Sequence, residues 1–237
     1  MLDLINLRKT FNPNTINQKV ALDGVSLHLD DGDFVTMIGG NGAGKSTLLN
    51  AIAGVWPLDD GKVIIDGMDI SGLSEHLRAP WLGRVFQDPM MGTAATMQII
   101  ENLALAKRRG QKRGLRPGVT KPEKEEYRAL LATLGLGLED RLTSKVGVLS
   151  GGQRQALTLL MATLNKPKLL LLDEHTAALD PRTAEKASPD SHFAFLHFFS
   201  MGIVLIPVSC TMSRTSIHSS SGTLSIRSSP LRGTCLR

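Results

Sequence analysis

The sequence has little cysteine, few aromatic residues and no long apolar run. Its 237 residues include two cysteines, Cys210 and Cys235, which excludes a disulfide-stabilised scaffold and favours a reducing compartment. No apolar run reaches the roughly 18 residues from which a membrane-spanning helix is predicted. The first residues lack the apolar stretch of a secretory signal, so we expect none. The chain is long enough for one large α/β domain or two small ones.

The positive charge is unevenly distributed. Residues 188–237 carry a net +3 of the formal +5, and they contain twelve serines but neither lysine nor glutamate. Residues 107–124 hold eight Lys or Arg and one Glu among Gly and Pro, which is typical of an exposed loop. Because that loop has no aromatic side chain on which bases could stack, we expect no nucleic-acid partner.

Hydrophobic spacing predicts an alternation of strands and helices, with no internal repeat. The predicted strands cover residues 2–8, 20–29, 34–38, 62–70 (with a turn) and 169–172. The predicted helices cover residues 46–55, 95–107, 123–134 and 153–165.

A glycine-rich segment between the third predicted strand and the first predicted helix matches the spacing Gly-x-x-x-x-Gly-Lys-Ser of a phosphate-binding loop. Glycines let successive N–H groups reach phosphate oxygens, and the helix adds the positive end of its dipole. A turn that binds nothing is the alternative, but the Lys-Ser pair and both flanks fit the loop. We therefore predict binding of ATP and Mg²⁺ by Gly39, Gly40, Asn41, Gly42, Ala43, Gly44, Lys45, Ser46 and Thr47.

Two acidic residues end the apolar run of residues 169–172. Ligands of parallel sheets bind beyond the carboxyl ends of strands, so Asp173 is expected to reach the Mg²⁺ held by Ser46. Glu174 is expected to polarise a water molecule against the γ-phosphate. An acidic strand end that faces solvent is the alternative, and the phosphate-binding loop argues against it.

The segment Leu149-Ser150-Gly151-Gly152-Gln153 resembles the signature motif of ABC-transporter ATPases. Residues 1 to about 187 carry the motifs of that family in the family's order. The resemblance implies that Phe11 stacks on adenine, that Gln87 in GRVFQDP senses the γ-phosphate, and that Asp180 belongs to the D-loop. The implied catalytic residues are Glu174, Lys45 and Gln87; the implied metal ligands are Ser46, Gln87 and Asp173; and further nucleotide contacts are Phe11, Ser150, Gly151, Gly152, Gln153 and Asp180.

The same resemblance implies an α/β fold: a P-loop NTPase core with a parallel sheet, an antiparallel N-terminal β part and an inserted helical subdomain at roughly residues 88–148. It also implies a head-to-tail homodimer or paired ATPase subunit, transmembrane permease subunits, and a substrate-binding protein. We accordingly expect a peripheral protein on the cytoplasmic face of the cell membrane. The residues do not name the transported substrate.

The chain departs from the family after residue 187. A histidine that contacts the γ-phosphate is expected near position 207, where the sequence has Pro207, and His192, His197 and His218 are off that spacing. We recognise none of the strands that the family has after this point. Residues 188–237 are therefore interpreted as an aberrant or poorly ordered tail, produced by a change of reading frame or by divergence in which residues 203–206 still supply a strand. We expect weak steady-state hydrolysis.

Two other functions stay open. A catalytically impaired nucleotide-binding remnant is consistent with the missing histidine. An ABC ATPase that works on nucleic acid is the less favoured alternative, because such proteins usually carry two cassettes or a long coiled-coil insertion. Transporter ATPase is the leading interpretation.

Overall fold

The computed structural model describes residues 1–111, 114 and 117–173, with Thr36, Ile38 and the strands 203–209 and 225–229 described by backbone alone. Within this part the chain forms two sheets and five α-helices. The strands are β1 (Leu2–Phe11), β2 (Lys19–Leu29), β3 (Phe34–Gly39), β4 (Asp60–Ile65), β5 (Met68–Asp69), β6 (Leu82–Val85), β7 (Leu169–Leu172), β8 (Ile203–Ser209) and β9 (Ser225–Ser229). The helices are α1 (Lys45–Ala53), α2 (Glu75–Arg78), α3 (Ile99–Lys107), α4 (Lys121–Ala132) and α5 (Gly151–Thr163), with a 3₁₀ turn at Val146–Val148.

The first sheet is antiparallel, with the order β2-β1-β4-β5. Its central strand β1 alternates at its start, where Leu2 and Leu4 are buried and Ile5 is exposed. This alternation is typical of a sheet with one face on the core and the other toward water.

The second sheet has the order β6-β7-β8-β3-β9 and is parallel except for β9, which runs antiparallel to β3. All four leucines of β7 are buried. A central parallel strand is covered on both faces, which explains why its sequence is continuously apolar rather than alternating.

The buried apolar side chains of the described residues form two main clusters. The first joins both sheets around α1, with Leu4 of β1, Val35 of β3, Leu48 of α1, Val63 of β4 and Leu171 of β7 among its members. The second packs α3, α4 and α5 together, with Leu103, Tyr127, Leu131, Leu157 and Leu160 at its centre. Among the described residues, none of the helices has the length and hydrophobicity of a membrane-spanning segment.

Two arginines, Arg78 and the partly buried Arg109, join these parts of the structure. Arg109, just past α3, donates to the carbonyl oxygens of Leu82 in β6 and Met161 in α5, at 3.3 and 2.8 Å. Arg78 donates to the carbonyl oxygens of Ala51 and Ile52 in the last turn of α1, at 2.9 and 2.8 Å. Burial lowers the pKa of both side chains. Each guanidinium thus bonds to backbone carbonyl groups of another element.

The structure differs from the sequence prediction in three elements. The short strand β6 and the one-turn helix α2 had no recognisable period and were not predicted. Strand β9 contradicts the expectation that no further strand follows position 207. Because Ser225–Ser229 is mostly polar, its sequence carries no strand signal, and its backbone bonds to the edge of β3 supply the structure.

Strand β8 lies between β7 and β3 and contains Pro207. Its first three residues pair with β7, but β7 ends at Leu172, so residues from Ile206 onward pair with β3 alone. A proline is tolerated where one side of a strand has no ladder partner. Residues 203–206 thus lie in a strand, whereas the origin of the tail stays a matter of the two interpretations above.

Candidate nucleotide-binding site

The carboxyl ends of the parallel strands gather the predicted site at one edge of the sheet. Gly39 ends β3 and pairs in register with Ser209 of β8. Asp173 directly follows β7, and its backbone N–H donates to the carbonyl oxygen of Val85 at 3.1 Å. Gln87 lies two residues beyond Val85. The glycine-rich loop, Asp173 and Gln87 thus leave the sheet at neighbouring strand ends, where ligands of such sheets bind.

The glycine-rich loop is a tight turn that leads directly into α1. The N–H of Ala43 donates to the carbonyl oxygen of Gly40 at 3.2 Å. Gly44 precedes the helix with φ 90°, and a Cβ at this position would lie 2.5 Å from the carbonyl oxygen of Ala21. Only glycine fits this conformation and this close approach. The loop therefore places the first N–H groups of α1, which have no partner within the helix, around one point.

Lys45 is buried beneath this loop. Its Nζ donates to the carbonyl oxygens of Gly39 and Gly40, at 2.6 and 3.0 Å. The neighbouring Ser46 is exposed, as are Gly40, Asn41 and Gly42. The loop thus holds an ammonium group inside its ring and presents a hydroxyl at its surface, the two groups that recognise a phosphate chain and its cation.

A cavity of about 190 Å³ lies over the loop. It brings Phe11, at the end of β1, together with the loop, although 30 residues of chain separate them. An aromatic ring beside a phosphate-binding loop can hold a base while the loop holds the phosphates. The residues that line the cavity are Phe11, Lys19, Ala21, Asn41, Gly42, Ala43, Gly44, Lys45, Ser46 and Thr47.

Trp56 and Lys9 lie beside the ring of Phe11. Trp56, which follows α1, contacts it edge-on, with ring centroids 5.0 Å apart and planes at 82°. The Lys9 ammonium lies 5.8 Å from the ring centroid and pairs with Asp59 at 2.9 Å. The hydrogen bond from Lys9 lowers the pKa of Asp59. Trp56 lies outside the cavity lining, so it positions the ring rather than covering the cavity.

The signature segment forms the start of α5. The Ser150 hydroxyl accepts from the N–H of Gln153 at 3.3 Å, and the Gln153 side chain accepts from the N–H of Ser150 at 3.2 Å. This reciprocal pair is a capping box. Gly151 and Gly152 are exposed, and no atom lies within 4 Å of a Cβ built on either. Both glycines stand in the first turn of α5, where N–H groups have no partner within the helix, but none of the segment's residues lines the cavity over the loop.

Of the remaining predicted site residues, the structure describes Gln87 but neither Glu174 nor Asp180. Gln87 is exposed and follows Phe86. Glu174 and Asp180 lie outside the described residues, so the structure does not place them. Their predicted roles stay predictions, as do those of the other site residues.

Sequence reasoning missed Lys19, Trp56 and Arg84. Arg84 of β6 donates to the Asn50 side chain of α1 at 2.7 Å, and its guanidinium lies 4.5 Å from the ring centroid of Phe86. Burial lowers the pKa of Arg84. This side chain ties the helix after the phosphate-binding loop to the strand that leads to Gln87. Trp56 had a sequence signal, because it is an aromatic residue directly after the predicted helix of residues 46–55. The positions of Lys19 and Arg84, in contrast, depend on how strands pair across the sheets, which the sequence does not show.

Comparison with known proteins agrees with this geometry. A model of the family described as ABC transporter matches residues 22–177. The chain is 44% identical over 191 residues to a tyrosine transport ATP-binding protein of Clostridioides difficile, covering 78% of this chain and 74% of that protein. It is 37% identical to the spermidine/putrescine import ATP-binding protein PotA of Haemophilus ducreyi, over 76% of this chain and 44% of that longer protein.

Solved structures give the same answer for the fold. A dimeric ATP-binding cassette in a post-hydrolysis state, bound to ADP and Pi, superposes with a TM-score of 0.70 at 28% sequence identity, covering 87% of this chain and 88% of that one. The predicted P-loop NTPase fold is confirmed. The chain belongs to the ABC-transporter family, as one of its ATP-binding subunits.

Proposed function

We propose that this chain binds ATP with Mg²⁺ and hydrolyses it to drive transport through a membrane permease. The observation that carries the proposal is the cavity in which the Phe11 ring meets the loop Asn41–Thr47. Adenine on Phe11 and the phosphates on the loop would span the two ends of one ligand. Because Gly44 tolerates no side chain and Lys45 is already buried under the loop, this arrangement is formed before the ligand arrives.

The residues at the strand ends fit a Mg²⁺ ion that is bound together with the phosphates. The exposed Ser46 hydroxyl and the Asp173 carboxylate supply oxygen ligands of the kind that Mg²⁺ prefers, and Gln87 could add a third. Bound Mg²⁺ would offset negative charge on the β- and γ-phosphates. Lys45 would exchange its bonds to Gly39 and Gly40 for bonds to phosphate oxygens, and Glu174 would orient the attacking water.

A second copy of the chain would complete the site. The open N–H groups of Gly151 and Gly152 suit a γ-phosphate, yet the signature segment does not line the chain's own cavity. A head-to-tail dimer, in which each signature segment covers the partner's nucleotide, uses both anion sites. The dimeric cassette to which this chain is similar supports that arrangement.

A cleft of about 710 Å³ between β6, α3 and α5 is suited to a permease segment. Apolar side chains line it, including Leu77, Phe86, Met91, Leu105 and Met161, of which Leu77, Met91 and Leu105 are exposed. Phe86 adjoins Gln87, so occupancy of the cleft and of the nucleotide site would be coupled. The chain would then work at the cytoplasmic face of the membrane, with a substrate-binding protein delivering the cargo. Tyrosine is the first substrate to test, because one relative of this chain is named as a tyrosine transport ATP-binding protein.

A second candidate is a nucleotide-binding remnant with impaired hydrolysis. The observation that favours it is the end of β8, where residues 198–217 contain no histidine. In the family a histidine at this strand end contacts the γ-phosphate. Binding would survive such a loss better than turnover, because the loop and Phe11 would still hold the phosphates and the base.

Phosphate release from ATP by the purified full chain separates the two candidates. We expect slow, Mg²⁺-dependent release that Glu174→Gln abolishes, while Glu174→Gln still binds ATP. Release no faster than in Glu174→Gln would favour the remnant. Rapid turnover that saturates with ATP would show instead that the missing histidine is not required.

A further inference from the structure

Lys19 is a second cation at the nucleotide cavity. It is the first residue of β2, and the antiparallel register places it directly opposite Phe11 of β1. Side chains at directly opposed positions have Cβ atoms about 4.5–5.5 Å apart and share one face of the sheet. Both residues line the cavity over the glycine-rich loop.

The ammonium of Lys19 reaches the loop itself. A Cβ built on Gly42 would lie 3.4 Å from the Lys19 Nζ. Lys19 therefore bridges the distance between the aromatic ring at one end of the cavity and the phosphate-binding loop at the other.

Lys19 differs from Lys9 and Lys45, the other lysines near the cavity, because its ammonium has no bonding partner among the described residues. Lys9 pairs with Asp59, and Lys45 donates to the carbonyl oxygens of Gly39 and Gly40. Within the part of the chain that the structure describes, the Lys19 ammonium makes no hydrogen bond and no ion pair. An unpaired ammonium at a loop built for anions is poised for an anionic ligand.

We propose that Lys19 binds the α- and β-phosphates of the nucleotide, a role that rests on the proposed ATP-binding function. If adenine lies on Phe11 and the terminal phosphates lie on the loop, the part of the ligand between them passes Lys19. The α- and β-phosphates are common to ATP and ADP, so Lys19 contributes equally to the affinity for both. Adenosine has no phosphate and gains nothing from the charge.

The test is a titration of wild-type chain, Lys19→Gln, Lys19→Arg and the control Lys124→Gln with ATP, ADP and adenosine. Lys124 is an exposed lysine of α4, outside the cavity, so its variant removes the same charge elsewhere. One exposed charge-assisted contact corresponds to about a 3- to 10-fold change in Kd. We expect that increase for ATP and ADP in Lys19→Gln, no change for adenosine, and near wild-type affinity in Lys19→Arg and Lys124→Gln.

Several results would overturn the assignment. Wild-type affinity in Lys19→Gln removes the role altogether. A loss confined to ATP moves the contact to the γ-phosphate, and an equal loss for adenosine means that Lys19 acts through the Phe11 platform. If the wild-type chain binds no nucleotide, the proposed function fails and Lys19 loses its role with it.

Discussion

Tyr127 is a single residue whose environment can be measured directly, because it is the only tyrosine in the chain. It is fully buried in the cluster of α3, α4 and α5, and its hydroxyl has no hydrogen-bond partner among the described residues. Burial disfavours the phenolate and raises the pKa of Tyr127 to about 12. A buried hydroxyl without a partner costs stability, so the stabilising contribution of Tyr127 comes from packing of its ring.

A pH titration of the tyrosinate ultraviolet absorbance tests this environment. Since the folded pKa lies above the unfolded value of about 10, the folded state holds its proton longer, and stability falls as pH rises from about 10 to 12. We expect ionisation near pH 12 or together with unfolding. Tyr127→Phe should lack the signal and lose less stability in that pH range. Ionisation near pH 10 with the helices intact would show that the phenol is solvated.

The start of α1 shows how one element depends on one backbone conformation. Gly44 combines φ 90° with a Cβ position 2.5 Å from the carbonyl oxygen of Ala21. Gly44→Ala should lower the free energy of unfolding by about 1–3 kcal/mol, because it adds backbone strain and a contact with β2 that cannot yield. Urea unfolding followed by circular dichroism gives this quantity.

Gly72→Ala is the matched control for that helix start. Gly72 is exposed, and nothing lies within 4 Å of a Cβ at that position. We expect a change within about 0.5 kcal/mol. Equal stability of the two variants would mean that the loop before α1 relaxes freely, and the account of a preformed loop would be wrong.

Elements of this fold were predictable where their signal is local. The glycine-rich loop, the helix after it and the four leucines of β7 are each read from consecutive residues. The capping box at Ser150 and Gln153 is equally local. Strand β9 was missed because its serines carry no hydrophobic pattern, and β6 because four residues are too few to show a period.

The site was predictable only in part, for a related reason. Residues 39–47 are adjacent in sequence, so their contacts follow from the motif. The meeting of Phe11 with this loop came from resemblance to a family, and the position of Lys19 follows from the register of β1 with β2, which no local pattern encodes. The positions of Trp56 and Arg84 could not be predicted for the same reason, because both residues act through tertiary contacts.

At the scale of the whole molecule, one bound nucleotide would connect the two sheets. The antiparallel sheet supplies Phe11 and Lys19, and the loop after β3 supplies the phosphate contacts. The loop stands at the amino end of α1, whose far end is bonded to Arg78. A bound nucleotide would therefore act on elements of both sheets at once.

Calorimetric titration of the full chain with Mg²⁺ and ATP tests this central claim most directly, with Lys45→Ala and the exposed-site control Lys124→Ala beside the wild type. We predict saturable binding of one ATP per chain in the wild type and in Lys124→Ala. In Lys45→Ala, with folding verified by circular dichroism, loss of the charge-assisted contact between the ammonium and the phosphates should weaken binding by about 10-fold or more. Absence of saturable binding in the wild type, or equal affinity in folded Lys45→Ala, would contradict the account.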